Sequence, residues 1–175
     1  WEGIFLSPLH PAVNQYLLDI VKQVIENYTF DGILLDYIRY QNYYYGYNEI
    51  GLQLFEDIYN INPSDLHRGV ISEYFGYSQI EIDSIQTLWD DYRENKITEL
   101  VQNIKIIMSK DSSNNELLVS VKVSSSEAQD RWYQNWSNWL QDSLIDYVVV
   151  ENHTLDFHEF NYNNKILGKA YQNKY

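Results

Sequence analysis

The sequence predicts an α/β fold: a partial (β/α)8 TIM-like barrel of about four parallel β/α units, with a helical insertion after the strand bearing Asp36. Three observations lead there. Gly32-Ile33-Leu34-Leu35 offer no polar face, as in a strand covered on both sides within a parallel sheet. Helical stretches separate this run from the other strand candidates, the alternation that builds parallel sheets. Two of the apolar runs end in reactive side chains, Asp36-Tyr37-Ile38-Arg39-Tyr40 and Glu151-Asn152-His153, at the carboxyl edge where α/β folds build their sites.

The elements follow in order. Gly3-Ile4-Phe5-Leu6 is a short strand candidate ended by Ser7-Pro8. Pro11 suits a first helical turn, and Val13, Tyr16, Leu17, Ile20, Val21, Val24, Ile25 and Tyr28 draw one apolar stripe at three- and four-residue steps. After the strand at 32–35, an insertion over 41–82 opens with Asn42-Tyr43-Tyr44-Tyr45-Gly46-Tyr47. Short helices are expected in it around Leu52 to Tyr59 and from Ser64 to Tyr74. Asp83 to about Lys110 reads as a long helix with Asp83 as its N-cap. A polar turn leads to a strand from Leu117 to Val123, where valines alternate with Ser120, Lys122 and Ser124. A helix from about Gln129 to Leu140 and a strand from Tyr147 to Glu151 complete the series.

A barrel is preferred to an open sheet. No Gly-rich phosphate loop follows any strand, and Ser120, Lys122 and Ser124 suit an inward row near a barrel mouth, with the valines facing helices. A full barrel needs roughly 250 residues. Residues 1–175 therefore read as one partial-barrel domain, with 41–82 as an insertion or lid on the active face, and a remaining barrel segment or partner chain is expected. The start at Trp1 agrees with a processed or excised piece.

With 25 acidic and 12 basic residues, the net charge of −13 disfavours nucleic acid and anionic membranes as partners. No segment is apolar for long enough to span a bilayer. The lack of Cys removes disulfides, thiolate zinc sites and a Cys nucleophile. His10, His67, His153 and His158 show no zinc-site spacing, so no metal or other cofactor is expected. The excess of 17 Tyr and 5 Trp supplies aromatic faces with polar tips, suited to stacking on sugar rings.

Four stretches carry a family resemblance. Leu6 to Val13 with the helix after it, and Asn27-Tyr28-Thr29-Phe30-Asp31-Gly32-Ile33-Leu34-Leu35-Asp36-Tyr37-Ile38-Arg39-Tyr40, resemble the glycosyl-hydrolase-like family 10 proteins. So do Trp89-Asp90-Asp91-Tyr92-Arg93 to Thr98, and Trp139-Leu140 through Asp146-Tyr147-Val148, in the same order along the chain. The resemblance implies a TIM-like barrel that cleaves glycosidic bonds, with bacterial cell-wall or other amino-sugar glycans as substrates and an extracytoplasmic location. It places this chain from about the third strand to the sixth. Gln41 stands where the family has Pro, and Val150-Glu151-Asn152-His153-Thr154 departs from the family's Pro-Met-x-Tyr-Thr, supplying a carboxylate in place of sugar-contacting residues.

Hydrolysing a glycoside takes a proton donor and a second carboxylate. Asp36 is expected to be one member of the pair and Glu151 the other, in competition with a carboxylate elsewhere or with assistance by a substrate N-acetyl group. Arg39 is expected beside Asp36, lowering its pKa while burial raises it. Substrate contacts are expected from Tyr37, Arg39, Tyr40, Lys122, Asn152, His153 and Arg93, and from Tyr43 and Tyr45 in the insertion. The plainer readings are an ion pair of Asp36 with Arg39 or Lys122, Arg93 as a bridge from helix to loop, and core packing for Trp89, Tyr92 and Trp136. At the level of function, a glycoside hydrolase stands against a catalytically inactive carbohydrate-binding or surface-assembly module that kept the barrel and its aromatics.

Overall fold

A computed structural model describes residues 5–109, 117–124, 132–151 and 154–172. Three parallel strands, β1 (Gly32–Leu35), β2 (Leu118–Ser124) and β3 (Tyr147–Glu151), form one sheet in the order β1-β2-β3. Helix α1 (Pro11–Asn27) precedes β1, α4 (Gln79–Met108) precedes β2, α5 (Trp136–Gln141) precedes β3, and α6 (Phe157–Gln172) follows it. The segment between β1 and α4 holds α2 (Glu49–Tyr59), α3 (Ser64–His67) and a 3-10 turn at Glu73–Phe75. The parallel strands with helical crossovers are the partial β/α barrel architecture that the alternation of apolar runs implies.

Register fixes the two faces of the sheet. Leu34 pairs with Ser120, Ser120 with Tyr147, Lys122 with Val149 and Ser124 with Glu151, so these residues share one face. The opposite face carries Val119, Val121 and Val123, all buried with Leu100, Val101, Ile104 and Met108 of α4 in the main core. The valines thus face the helices, and the row Ser120, Lys122, Ser124 faces away from them. β1 approaches β2 closely: a Cβ on Gly32 would stand 2.5 Å from the Leu118 carbonyl oxygen. Asp146 ties the layers together, accepting from the Val119 amide at 2.7 Å while pairing with Lys105 of α4 at 2.8 Å.

Several boundaries differ from the expectation, each for a local reason. The long helix begins earlier because Ser78, not Asp83, is its N-cap: Ser78 and Glu81 form a reciprocal capping box. The helix expected over 129–140 is reduced, among described residues, mainly to Trp136–Gln141, because Tyr133 adopts φ +58° just before it. The one expected over 64–74 stops at His67, with Gly69 at φ +71°. β2 runs one residue later than read. Of the candidate strand at 3–6, Gly3 and Ile4 lie outside the described residues, and Phe5 and Leu6 form no strand, leaving three strands rather than four among described residues.

Candidate active site at the carboxyl edge of the sheet

Asp36 follows the last residue of β1, on the face shared by Leu34 and Ser120. Its turn is unusual. Tyr37 adopts φ +55°, a region bulky residues rarely occupy, and its amide donates to Asp36 Oδ1 at 2.9 Å. The strand therefore ends abruptly, with the Asp36 carboxylate oriented by the next backbone amide and half exposed at 50%.

Lys122 of β2 reaches both neighbouring strand ends. Its Nζ lies 3.5 Å from Asp36 Oδ2 and 2.6 Å from Glu151 Oε1. Contacts to the same nitrogen hold those two oxygens no more than about 6 Å apart, on the scale of a glycosidase carboxylate pair. The hydrogen bond that Lys122 donates to Glu151 raises the Lys122 pKa above the ordinary lysine range; partial burial opposes this and the Asp36 charge adds to it. Lys122 is therefore a fixed cation at neutral pH. The three side chains expected at this edge, Asp36, Lys122 and Glu151, are brought together, while Asn152 and His153 lie outside the described residues.

The cation beside Asp36 is Lys122, where Arg39 was expected. Arg39 instead donates to the Tyr40 carbonyl at 3.2 Å, and its guanidinium lies over the rings of Tyr37 and Trp132, 4.8 and 5.1 Å from their centroids. Tyr37 remains exposed and able to offer a ring face. Tyr40 is not available for this: it is only 3% exposed and packs edge-on against Tyr133. A sugar-stacking role for the Tyr40 face is corrected to core packing.

Arg93 is also corrected, since it is fully buried at 0% and cannot meet a glycan. Its Nη1 donates at 2.8 Å to the carbonyls of both Tyr43 and Tyr45, and its Nη2 bonds Asp90 and the Tyr133 hydroxyl. The rings of Tyr40, Tyr47, Trp89 and Tyr133 surround it. Arg93 is the bolt that fixes the 43–45 loop to α4. Beyond that loop, Phe55 of α2 packs on Trp89 and Tyr92, so much of the aromatic wealth of residues 41–82 is consumed by packing on α4. Tyr43 stays half exposed with its hydroxyl bonded to Tyr44, and Tyr45 meets Phe5 edge-on.

Sequence reasoning did not single out Trp132 or Gln134. Gln134 is wholly buried and its Nε2 donates to the Lys122 carbonyl at 3.2 Å, which ties the segment before α5 to the middle of the site. Nothing in the local pattern marks a Gln for that duty. The site opens onto a groove of about 450 Å³ along the edge of β1, floored by Val13, Leu17, Ile20 and Leu34 and rimmed by Asp36, Tyr37 and Arg39. That volume lies within the range of small-ligand sites. It also explains why no residue of α1 is fully buried: part of the helix's apolar stripe lines the groove.

Comparison with known proteins adds to the geometry. The fold is similar to the glycoside hydrolase domain of PgaB (BpsB) from Bordetella bronchiseptica, with a TM-score of 0.69 and 13% sequence identity over 97% of this chain. The chain spans 46% of that structure's length. No curated protein sequence matches significantly. No helix among the described residues is long and apolar enough to cross a membrane. The sequence model of the glycosyl hydrolase-like 10 family matches residues 1–169, and the chain belongs to that family.

Proposed function

We propose that the protein is a glycoside hydrolase acting on a bacterial cell-wall or other amino-sugar glycan, with Asp36 and Glu151 as its carboxylate pair. The observation that carries this reading is the meeting of both carboxylates on one Lys122 ammonium at the carboxyl edge of a parallel sheet. The membership in a glycosyl hydrolase-like family supports it.

Roles follow from the two contacts. Glu151, held at 2.6 Å by the Lys122 ammonium, is assigned as the nucleophile at the anomeric carbon. Asp36, at 3.5 Å and half exposed, is the carboxylate a substrate displaces from the ammonium; in its acid form, with a proton taken from solvent, it protonates the leaving oxygen, and it recovers that proton from the water that hydrolyses the glycosyl-enzyme. A separation of no more than about 6 Å favours retention of anomeric configuration, since inversion takes about 6.5–9.5 Å. Tyr37 and Arg39 flank the pair as ring face and hydrogen-bond donor. Tyr43, and Asn152 and His153 beyond β3, extend the contacts, with residues 41–82 forming the wall of the cleft. An extracytoplasmic location accords with polymers of this class.

One observation favours a second reading. A cation between two carboxylates stabilises both in the charged form, whereas acid catalysis needs one protonated; a carbohydrate-binding module without turnover would keep the ion triad as a structural clasp. Asp36→Asn separates the two. Loss of amino-sugar polymer turnover with retained binding supports the hydrolase, and a wild-type protein that binds such polymers without cleaving any supports the module.

A further inference from the structure

Arg39 sits where the groove beside Asp36 meets a second cavity of about 170 Å³, and it lines both. The other described arginines, Arg68 and Arg93, each meet a carboxylate. Arg39 does not. Among the described residues its Nη1 donates to the Tyr40 carbonyl at 3.2 Å and reaches that of Gln41 at 3.5 Å, and its guanidinium lies over the rings of Tyr37 and Trp132. Nε and Nη2 have no acceptor there, and neither belongs to the buried unpaired atoms, as Arg93 Nε does; both therefore meet solvent. With 25 acidic residues in the chain against 12 basic, this cation is not unpaired for want of acids.

The open edge has a definite chemistry. Nε–H and Nη2–H of a guanidinium point the same way, spaced to meet both oxygens of one carboxylate. Two rings and two carbonyls already hold the group, so little side-chain freedom is left to lose when an anion arrives. The surroundings accept one negative charge. Among the described residues Arg39 is the only cation that lines either cavity, no acid lines the second, and Asp36 alone lines the groove. At the sheet edge Asp36 and Glu151 are matched by Lys122 and Arg39, so the site does not share the −13 of the whole chain. A phosphate ester, with a charge of about −1.5 to −2, suits a place near Asp36 less well than a carboxylate does.

We infer that the Nε–Nη2 edge of Arg39 is a carboxylate-binding position, which selects a glycan bearing an acidic substituent on a sugar lying in the Asp36 groove. The inference rests on the reading of that groove as a glycan site. It adds a charge requirement that neither the fold nor the pairing of Asp36 with Glu151 sets.

Calorimetric titration of the full chain at pH 7 tests it with sulfur-linked β-1,4 trisaccharides, which resist turnover. Those of glucuronic acid and glucose differ only in a carboxylate in place of the hydroxymethyl group. Those of N-acetylglucosamine with and without one 3-O-lactyl ether differ only in a carboxylate carried on a longer arm. At least one acidic sugar should bind about tenfold or more tighter than its neutral partner, the scale of a charge-assisted bidentate bond, and the pair that shows it tells where the carboxylate stands. Arg39→Met and Arg39→Lys should each remove most of that ratio, the first by deleting the charge and the second by replacing paired donors with a point charge. Reading the ratio cancels any general weakening through the lost carbonyl contacts. Arg39→Glu should reverse it, so that the neutral sugar binds tighter, an outcome a misfolded variant cannot mimic. Equal binding within both pairs overturns the inference, as does a ratio kept in full by Arg39→Met or Arg39→Lys. These outcomes leave Asp36 and Glu151 to be judged separately by turnover of oxygen-linked polymers, whereas no binding of any of the four sugars at millimolar concentration overturns both readings.

Discussion

Lys122 Nζ lies 2.6 Å from Glu151 Oε1, across the β2–β3 register that sets Ser124 opposite Glu151. With Asp36 at 3.5 Å on the other side, the lysine neutralises one of two like charges that would otherwise repel across the strand ends. Removing it exposes that repulsion. Lys122→Met should therefore be less stable than wild type at pH 7. Urea unfolding checks this, and an unchanged midpoint would show that the three charges do not interact.

The same contact has a pH signature in stability. The folded pKa of Lys122 is raised, so its contribution is fully present below the unfolded lysine value of about 10.4 and is lost as pH climbs through the higher folded value. The stability gap between wild type and Lys122→Met should be constant from pH 7 to 9 and shrink at still higher pH. Urea unfolding at a series of pH values reads it; a gap that instead closes on acidification to pH 6 contradicts the linkage.

Tyr37 is held at φ +55°, where glycine is at ease and tyrosine is not. Tyr37→Gly should raise thermal stability by up to about 1 kcal/mol, while weakening glycan binding through loss of an exposed ring beside Asp36. A destabilised variant would mean that the ring contributes more through Arg39 than the backbone loses.

Arg93 should tolerate no replacement. Arg93→Met removes the guanidinium that donates to the Tyr43 and Tyr45 carbonyls and pairs with Asp90, which keeps its bonds from Gln86 and Tyr133, and should cost about 3–5 kcal/mol. Arg93→Lys should not rescue it, because one ammonium cannot reproduce a planar fork that serves two carbonyls, a carboxylate and a phenol. Chemical denaturation measures both, with a loss under 1 kcal/mol for the lysine variant counting against the bolt.

Gly32 has no room for a side chain, since a Cβ would press on the Leu118 carbonyl. Gly32→Ala should cost about 1–3 kcal/mol by forcing β1 away from β2, and should loosen the hold of Lys122 on Asp36 as well. Amide exchange across β1 would rise in step.

Much of this arrangement is legible in the residues. The unbroken apolar runs at 32–35 and 147–150 mark strands, but the cover expected on both faces is present on one: Leu34, Tyr147 and Val149 on the other face are exposed. Asp36 and Glu151 are conspicuous as the first charges after the runs. The alternation of Val119, Val121 and Val123 with Ser120 and Lys122 likewise reveals which face of β2 meets the helices. Arg93 and Tyr40 are different. Their burial depends on a cage assembled from residues 40, 47, 89 and 133, which no local period encodes. The left-handed Tyr133 that shortens the helix before β3 is equally silent, because tyrosine carries no turn signal. The choice of Lys122 over Arg39 as partner of Asp36 is set by strand register, a long-range property. The Ser78 to Glu81 capping box was present in the sequence, and the rule that recognises it would have placed the start of α4 correctly.

The central claim is that Asp36 and Glu151 act as one unit on a glycosidic bond. Turnover of an amino-sugar polymer by Asp36→Asn, Glu151→Gln and the double variant tests this most directly. Each single substitution should lower turnover by about a thousandfold or more and the double should fall little further, because partners in one chemical step are not additive. Wild-type turnover in either single variant, or losses that multiply in the double, would contradict it.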